Sequence, residues 1–195
     1  VPAFVDVDRE TLGMSPESLR SFLQNNAVKK DGKLVDKASG RIIRAVVPVH
    51  IFGHPVRIKE VKTVCDEYGL ILIEDAAESL GSYRDGKHTG TFGLAGILSF
   101  NGNKLVTTGG GGMLITDSEE IANRARFIST TAKRPHAWEF YHPEVGYNLR
   151  MPSLNAAVGL AQLEYFDRII ASKRETAKLY HEFFAKRGIS AIKEP

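Results

Sequence analysis

The sequence predicts an α/β protein built on a mostly parallel sheet. Short apolar runs alternate along the chain with longer amphipathic runs, and this order of strand and helix is typical of right-handed crossover units. The run at 42–49 is continuous and rich in β-branched residues, as in a strand that is buried on both faces. Ligands bind beyond the carboxyl ends of the strands in such sheets, so residues at those ends are the first candidates for function.

The N-terminal part of the chain opens with residues 3–7, which are typical of the end of a strand. A helix begins at Pro16, because Ser15 is a capping residue and Glu17 favours the positive end of the helix dipole. Residues 29–40 are polar, contain two glycines and predict a surface loop.

The next elements form one crossover unit. Apolar residues recur at helical spacing between 58 and 65, and Gly69 ends this second helix. A buried strand follows at 70–73 and finishes in two acidic residues, Glu74 and Asp75. Two carboxylates at the end of an apolar strand are costly to bury unless they have partners.

The C-terminal part contains two further strands and two helical stretches. The strands are predicted at 96–100 and 112–116, and a helix follows over about 119–128. Pro152 opens a long helical pattern, which is predicted to continue, with a kink, to Phe184.

Composition excludes several classes of protein. The length of 195 residues corresponds to one domain or slightly more. Of these residues 43% are apolar and 25% are charged, which is normal for a soluble globular protein. The net charge of +3 is spread along the chain, which argues against a nucleic-acid arm or a polybasic membrane tail. Cys65 is the only cysteine, which rules out an internal disulfide and a thiolate zinc site and favours a reducing, cytoplasmic compartment. The apolar runs are far shorter than the ~20 residues that span a bilayer.

Lys104 is the candidate nucleophile. It follows the strand residue Ser99 and precedes a glycine run at 109–112, where the backbone can approach a ligand closely. A buried lysine amine can form a Schiff base with an aldehyde. The alternative is a solvated loop lysine. For the acidic pair, the alternative is a capping role for Asp75 and a surface ion pair for Glu74.

Other motifs do not match known chemistry. The glycine run precedes a strand and not a helix, so it is neither a dinucleotide fingerprint nor a phosphate loop, and a dehydrogenase is disfavoured. His50 and His54 are separated by Gly53, which with Pro55 forbids a zinc-binding helix, so His50 is interpreted as a hydrogen-bonded core histidine. No nucleophile elbow of a serine hydrolase occurs.

Five segments together resemble the DegT-type sugar aminotransferases, which use pyridoxal phosphate (PLP) on the aspartate-aminotransferase fold, called fold type I. They are PVHIFG at 48–53, EDAAESLG at 74–81, SFNGNK at 99–104, TTGGGG at 107–112 and GYNLRM at 146–151. Segments 99–112 and 130–136 are most similar to the LegC-like subgroup. That subgroup aminates the C4 ketone of UDP-linked deoxysugars on routes to bacillosamine or legionaminic acid.

The resemblance implies a role for each matching residue. Lys104 would hold PLP covalently and carry a proton between cofactor and substrate, and Asp75 would contact the pyridine nitrogen. Ser99 would bind the phosphate, and Glu78 would lie beside the phenolic oxygen. Asn148 would reach the phosphate of the neighbouring subunit's cofactor, which implies a homodimer with shared active sites. The substrates would be a nucleotide-linked keto sugar and an amino donor, with glutamate expected.

Two positions distinguish this chain within the family. Most members carry Gln or His where this chain has Glu78, and an ionised glutamate would repel a phenolate. Glu78 is therefore either protonated or turned away to bond elsewhere. Some members replace the lysine by histidine and act as dehydrases, so Lys104 favours amino transfer.

The resemblance also divides the chain. We expect residues 1–165 to belong to the large PLP-binding domain, without its N-terminal part, and 166–195 to form a linking helix and the start of a mostly missing small domain. The chain covers about half of a usual member. The alternative function is therefore an incomplete, non-catalytic PLP-fold fragment or binding module. Tyr83, His136 and Trp138 are weaker candidates for lining a sugar pocket, the alternative being core or interface positions.

Overall fold

The computed structural model of the chain describes residues 1–194. Its strands are β1 (Ala27–Lys30), β2 (Lys33–Asp36), β3 (Ala45–Val46), β4 (Ile71–Asp75), β5 (Tyr83–Arg84), β6 (Lys87–His88), β7 (Ala95–Ser99) and β8 (Gly112–Ile115). Its α-helices are α1 (Pro16–Asn26), α2 (Ile58–Tyr68), α3 (Glu119–Ser129), α4 (Ser153–Glu164) and α5 (Phe166–Ala185).

A four-stranded sheet of order β3-β4-β7-β8 forms the centre of the fold. β3, β4 and β7 are parallel, whereas β8 runs antiparallel to β7. The predicted α/β class with a mostly parallel sheet is confirmed. Because β4 and β7 are parallel, their last residues, Asp75 and Ser99, lie at the same edge of the sheet.

Helices α1 and α2 pack on this sheet for the reasons that the sequence gives. The Ser15 hydroxyl accepts a hydrogen bond from the Ser18 N–H (3.1 Å) and caps α1. Gly69 takes a left-handed conformation (φ 68°) and ends α2. Leu19 and Leu23 of α1 and Val61 of α2 are buried in one cluster with the apolar residues of β3 and β4.

Three predicted elements differ in the structure. Residues 29–36 are not a loop, because β1 and β2 form an antiparallel hairpin, whereas 37–40 are turn and coil as predicted. Its turn residues Asp31 and Gly32 both have positive φ (50° and 72°), as a tight hairpin turn requires. Polar strand residues conceal such a hairpin from a search for apolar periodicity.

The predicted strand at 42–49 is also wrong in extent. Only Ala45–Val46 belongs to the sheet, while Ile42 bridges to Val35 of the hairpin and Val49 makes a single bridge to Asp75. Pro48 interrupts the run because it has no N–H to donate. Likewise, residues 3–7 form no strand, and the segment contributes only a bridge from Val7 to Met14.

The helical pattern after Pro152 is broken as predicted. α4 ends at Glu164 and α5 begins at Phe166. α5 lies close to Gly81 (φ 86°), where an added Cβ would come within 2.8 Å of Phe166 Cζ. The division at residue 165 into two domains stays a prediction, and Pro195 lies outside the described residues.

A second buried cluster lies under the C-terminal edge of the sheet. It contains Ala76, Leu98, Phe100 and Val106, with Phe166 packed against it. No helix within residues 1–194 is both long enough and apolar enough to cross a membrane.

Cys65 is predicted to be inert in the folded chain. Its side chain is buried and burial raises the pKa of the thiol to about 11, so little thiolate forms near neutral pH. A chromogenic disulfide reagent should therefore label Cys65 only after guanidinium unfolds the chain. Rapid stoichiometric labelling in native buffer would contradict this packing of α2.

Candidate active site

The common edge of β4 and β7 carries two of the five predicted site residues, Asp75 and Ser99. Asp75 is held there through its backbone, because its N–H donates to the Pro48 carbonyl (2.9 Å) and its carbonyl accepts from the His50 N–H (3.0 Å). Its Oδ1 accepts a hydrogen bond from the Ala77 N–H (3.1 Å). Oδ2 has no hydrogen-bond partner within residues 1–194, so one carboxylate oxygen is free to bind a cationic or N–H group.

Glu74 is a fully buried carboxylate with four donors. Oε1 accepts hydrogen bonds from the N–H groups of Phe92 (2.6 Å) and Gly93 (2.8 Å). Oε2 accepts from the Gly90 N–H (2.8 Å) and lies 3.0 Å from His50 Nε2. The alternative of a surface ion pair for Glu74 is therefore wrong, and this carboxylate ties β4 to residues 90–93.

His50 joins Glu74 to the segment before the site. The Val56 N–H donates to His50 Nδ1 (3.2 Å), so Nε2 carries the proton that is shared with Glu74. The ring is completely buried, and both of its nitrogens make hydrogen bonds. The interpretation of His50 as a hydrogen-bonded core histidine is therefore confirmed.

Glu74 is held in its charged form. Burial raises the pKa of this carboxyl, but hydrogen bonds from His50 and from the backbone of Gly90 and Gly93 outweigh it and leave the pKa below 4.5. A buried charge is tolerated here because each carboxylate oxygen has two donors.

Lys104 forms an ion pair with Glu78 at the wall of a small cavity. Lys104 Nζ lies 3.2 Å from Glu78 Oε1, and its side chain is only 17% exposed, so Lys104 is not a solvated loop lysine. The cavity has a volume of about 230 Å³, and Glu78, Ser99 and Lys104 all line it together with Phe52. Three of the five predicted site residues therefore share one cavity.

Glu78 is the charged partner of this lysine. The Phe52 N–H donates to Oε2 (2.9 Å) and Lys104 to Oε1, and these two bonds lower the pKa of the Glu78 carboxyl. Phe52 has a left-handed backbone (φ 53°) and is 75% exposed. Glu78 thus points towards Lys104 as a carboxylate in this structure.

Asn148 lies in a different place from the lysine cavity. It lines a separate cleft of about 410 Å³ with Lys133, Arg134 and Arg150. Asn148 also makes a bridge to Thr130 at the end of α3. Within one chain the structure therefore does not bring Asn148 to Lys104.

The three aromatic candidates do not line the lysine cavity. Tyr83 packs edge-on against His88, with ring centroids 5.1 Å apart. Trp138 is 90% exposed and His136 also lies on the surface, so neither is a core residue.

Sequence reasoning missed the residues that support this edge. Glu74 and Phe52 lie inside the segments that resemble the family, but no site role was predicted for either of them. Gln162 of α4, which binds the loop of Lys104, lies in no motif. A polar residue on a mostly apolar helix was the available signal.

The donor set fits PLP. A lysine shielded from water suits its aldehyde, a carboxylate oxygen without a partner suits its protonated ring nitrogen, and the Ser99 hydroxyl suits its phosphate. Among residues 1–194, no group of three acidic, histidine or cysteine side chains has the spacing of a metal site.

Comparison with known proteins decides the family. The sequence profile of the DegT/DnrJ/EryC1/StrS aminotransferase family matches residues 1–194. The chain belongs to this family. This is a family of PLP-dependent enzymes of fold type I that includes the sugar aminotransferases, so the predicted family, fold and cofactor are confirmed.

Individual relatives give a scale for the similarity. EpsN of Bacillus subtilis, which its name provisionally describes as a PLP-dependent aminotransferase, is 41% identical over 89% of this chain and 42% of its own length. GDP-perosamine synthase of Vibrio cholerae is 35% identical over 100% of this chain and 48% of its own. The crystal structure of DesI with its TDP-sugar product has a TM-score of 0.76 and 31% identity, over 94% of this chain and 42% of that one. The chain thus spans just under half the length of these proteins.

Replacing the buried carboxylate tests the support of this edge. Glu74→Gln keeps the shape but turns an amide N–H₂ towards backbone donors, and we expect a loss of roughly 2–4 kcal/mol in the free energy of unfolding at pH 7. Denaturant titration measures this loss. Glu139→Gln, on an exposed glutamate, is the control and should change stability little.

The pH dependence gives an independent check of Glu74. Its folded pKa lies below 4.5, so the carboxylate stabilises the fold above that pH and the stabilisation is lost as the pH falls through the folded value. The difference between parent and Glu74→Gln should therefore shrink on acidification below about 4.5. A difference that is constant with pH would show that the charge is not what matters.

Proposed function

We propose that this chain binds PLP at the edge of β4 and β7 and acts in a sugar aminotransferase. In that protein an amino group passes from an amino acid, with glutamate expected, to the ketone of a nucleotide-linked deoxysugar. The observation that carries the proposal is the shielded Lys104 amine, which lies 3.2 Å from Glu78 and shares its cavity with Ser99.

Each residue has one task in this proposal. When bound, PLP supplies an aldehyde and an electron-accepting ring. Lys104 holds the aldehyde carbon through Nζ and later carries a proton on the same atom. Asp75 Oδ2 binds the ring N–H and keeps it protonated, and the Ser99 hydroxyl donates to the phosphate.

The finer substrate is a UDP-linked 4-keto sugar, aminated at C4 on a route of the bacillosamine or legionaminic type. Support comes from segments 99–112 and 130–136, which resemble the LegC-like subgroup. The names of the relatives mention GDP-perosamine and a TDP-sugar. They support a nucleotide-linked sugar as the class, and the choice of UDP rests on the two segments.

The proposed protein is a cytoplasmic homodimer whose active sites are shared between the two subunits. Asn148 lies in a cleft apart from Lys104, and three basic side chains line this cleft with it. In a two-fold dimer such a cleft can meet the phosphate of the neighbouring subunit's cofactor. Sedimentation of the chain with and without PLP tests this arrangement.

A second candidate function is a non-catalytic PLP-binding module. It is favoured by the length of the chain, which is just under half that of the relatives. The assay mixes the protein with glutamate and with UDP-, GDP- or TDP-linked 4-keto-6-deoxysugars and detects amino sugars by mass spectrometry. Amination that is fastest with the UDP-linked sugar supports the proposal. PLP binding without amination of any sugar supports the non-catalytic module.

Lys104 should be the site of PLP attachment. Incubation with PLP followed by borohydride should add one reduced pyridoxyl group at Lys104, identified by peptide mass spectrometry. Lys104→Arg keeps the ion pair with Glu78 but has no nucleophilic amine near neutral pH, so labelling should be lost. Lys178→Arg, on an exposed lysine, is the control. Equal labelling of Lys104→Arg and the parent would remove Lys104 from this role.

Glu78→Gln should speed the attachment of PLP. Glu78 Oε1 accepts a hydrogen bond from the Lys104 amine (3.2 Å), and the amine has to leave this contact before it attacks an aldehyde. Because this pair is partly exposed, weakening the contact should raise the rate by only about two- to fivefold at pH 7. A slower reaction at pH 7 would mean that Glu78 helps the attack.

A further inference from the structure

The loop that carries Lys104 needs an external constraint. It joins β7 to β8 and contains glycines at 102 and 109–111, which admit many backbone conformations. Inside the loop, the Thr108 N–H donates to the Phe100 carbonyl (3.0 Å) and the Phe100 N–H to the Gly111 carbonyl (2.9 Å). These bonds close the base of the loop, and the buried Val106 anchors its middle.

Helix α4 provides a constraint from outside the loop. The Gln162 side chain binds both peptide groups of Thr107: Oε1 accepts from the Thr107 N–H (3.0 Å) and Nε2 donates to the Thr107 carbonyl (3.0 Å). Asn155 Nδ2 donates to the neighbouring Thr108 carbonyl. Two side-chain amides thus replace the backbone partners that an irregular loop lacks.

The spacing on α4 is specific for this contact. Asn155, Gly159 and Gln162 are four and three residues apart and lie on one face of the helix. Gly159 is the one buried residue of α4, and a Cβ there would lie 2.7 Å from Thr108 Cγ2. A glycine is therefore needed for the helix to come this close, while Leu154 and Leu160 on α4 are exposed.

We propose that Gln162 is a positioning residue for Lys104. It acts through the Thr107 backbone, three residues beyond the lysine, and it does not line the lysine cavity. Asn155 and Gly159 support the same contact. The consequence for catalysis rests on the proposed function, because it concerns the reaction of Lys104 with PLP. The pair of hydrogen bonds from Gln162 to Thr107, which we call the clamp, does not depend on that function.

Gln162→Glu is the variant that tests the clamp. It keeps the acceptor for the Thr107 N–H but places a second oxygen against the Thr107 carbonyl. Gln162→Met, which keeps the volume without hydrogen bonds, is the second variant should the first fail to fold. The only other glutamine, Gln24, is exposed on α1, so Gln24→Glu is the matched control.

Two measurements separate this proposal from the proposed function. Amide hydrogen exchange without PLP follows the Thr107 N–H, which loses its acceptor in Gln162→Met and should there exchange about tenfold faster. In Gln162→Glu that acceptor remains, but the second carboxylate oxygen repels the Thr107 carbonyl and should also open the loop and speed exchange. The second measurement is the rate of labelling at Lys104. There the amine condenses with the PLP aldehyde, water leaves, and borohydride reduces the C=N bond to C–N.

The expected result is faster loop exchange together with labelling that is slowed severalfold, while the melting temperature and the exchange of α1 and α2 stay close to those of the parent. Unchanged loop exchange overturns the clamp. Faster exchange with unchanged labelling overturns the positioning of Lys104. Should the parent itself take no label at Lys104, the proposed function fails, and exchange alone decides whether Gln162 fixes the loop.

Discussion

The geometry of the candidate site depends on one buried carboxylate. Glu74 accepts hydrogen bonds from three backbone N–H groups of residues 90–93 and a fourth from His50 Nε2. No neutral side chain can accept from all four donors, since an amide offers one oxygen. The charge therefore fixes the position of β4 against the segment that leads into β7. It also fixes Asp75, because side chains of successive strand residues point to opposite faces and Asp75 is the next residue.

The site has a simple division of labour along one sheet edge. Glu74 uses all of its acceptor capacity inside the protein, whereas Asp75 keeps Oδ2 free. The segment around His50 contacts both the end of β4 and the turn after it, because its backbone bonds to Asp75 and the Phe52 N–H donates to Glu78. Glu78 in turn holds Lys104. The lysine is thus oriented from β4 through Glu78 and from α4 through the Thr107 backbone, and these two constraints share no residue.

The sequence predicts those parts of the fold that are determined by local chemistry. The caps Ser15 and Gly69 mark the ends of helices, and the apolar run before Glu74 marks a strand, because each signal lies within a few residues. The hairpin at 27–36 was missed because its strands are polar and owe their pairing to the turn at Asp31 and Gly32. In the site, Lys104 and Glu78 are 26 residues apart, and only the resemblance brought them together. Gln162 was missed because its partner is a backbone group, which no sequence pattern displays.

The strength of the contact between Lys104 and Glu78 decides whether such a lysine can react. A lysine paired with a fully buried carboxylate would be held as an ammonium, because separating the pair leaves a buried charge at a cost of roughly 3–5 kcal/mol. Glu78 is 37% exposed, so water solvates it when the pair separates, and exposed pairs contribute only about 0–1 kcal/mol. The pair is strong enough to orient the amine and weak enough to release it. The fully buried carboxylate of this edge, Glu74, does not contact the lysine and holds the backbone of residues 90–93 instead.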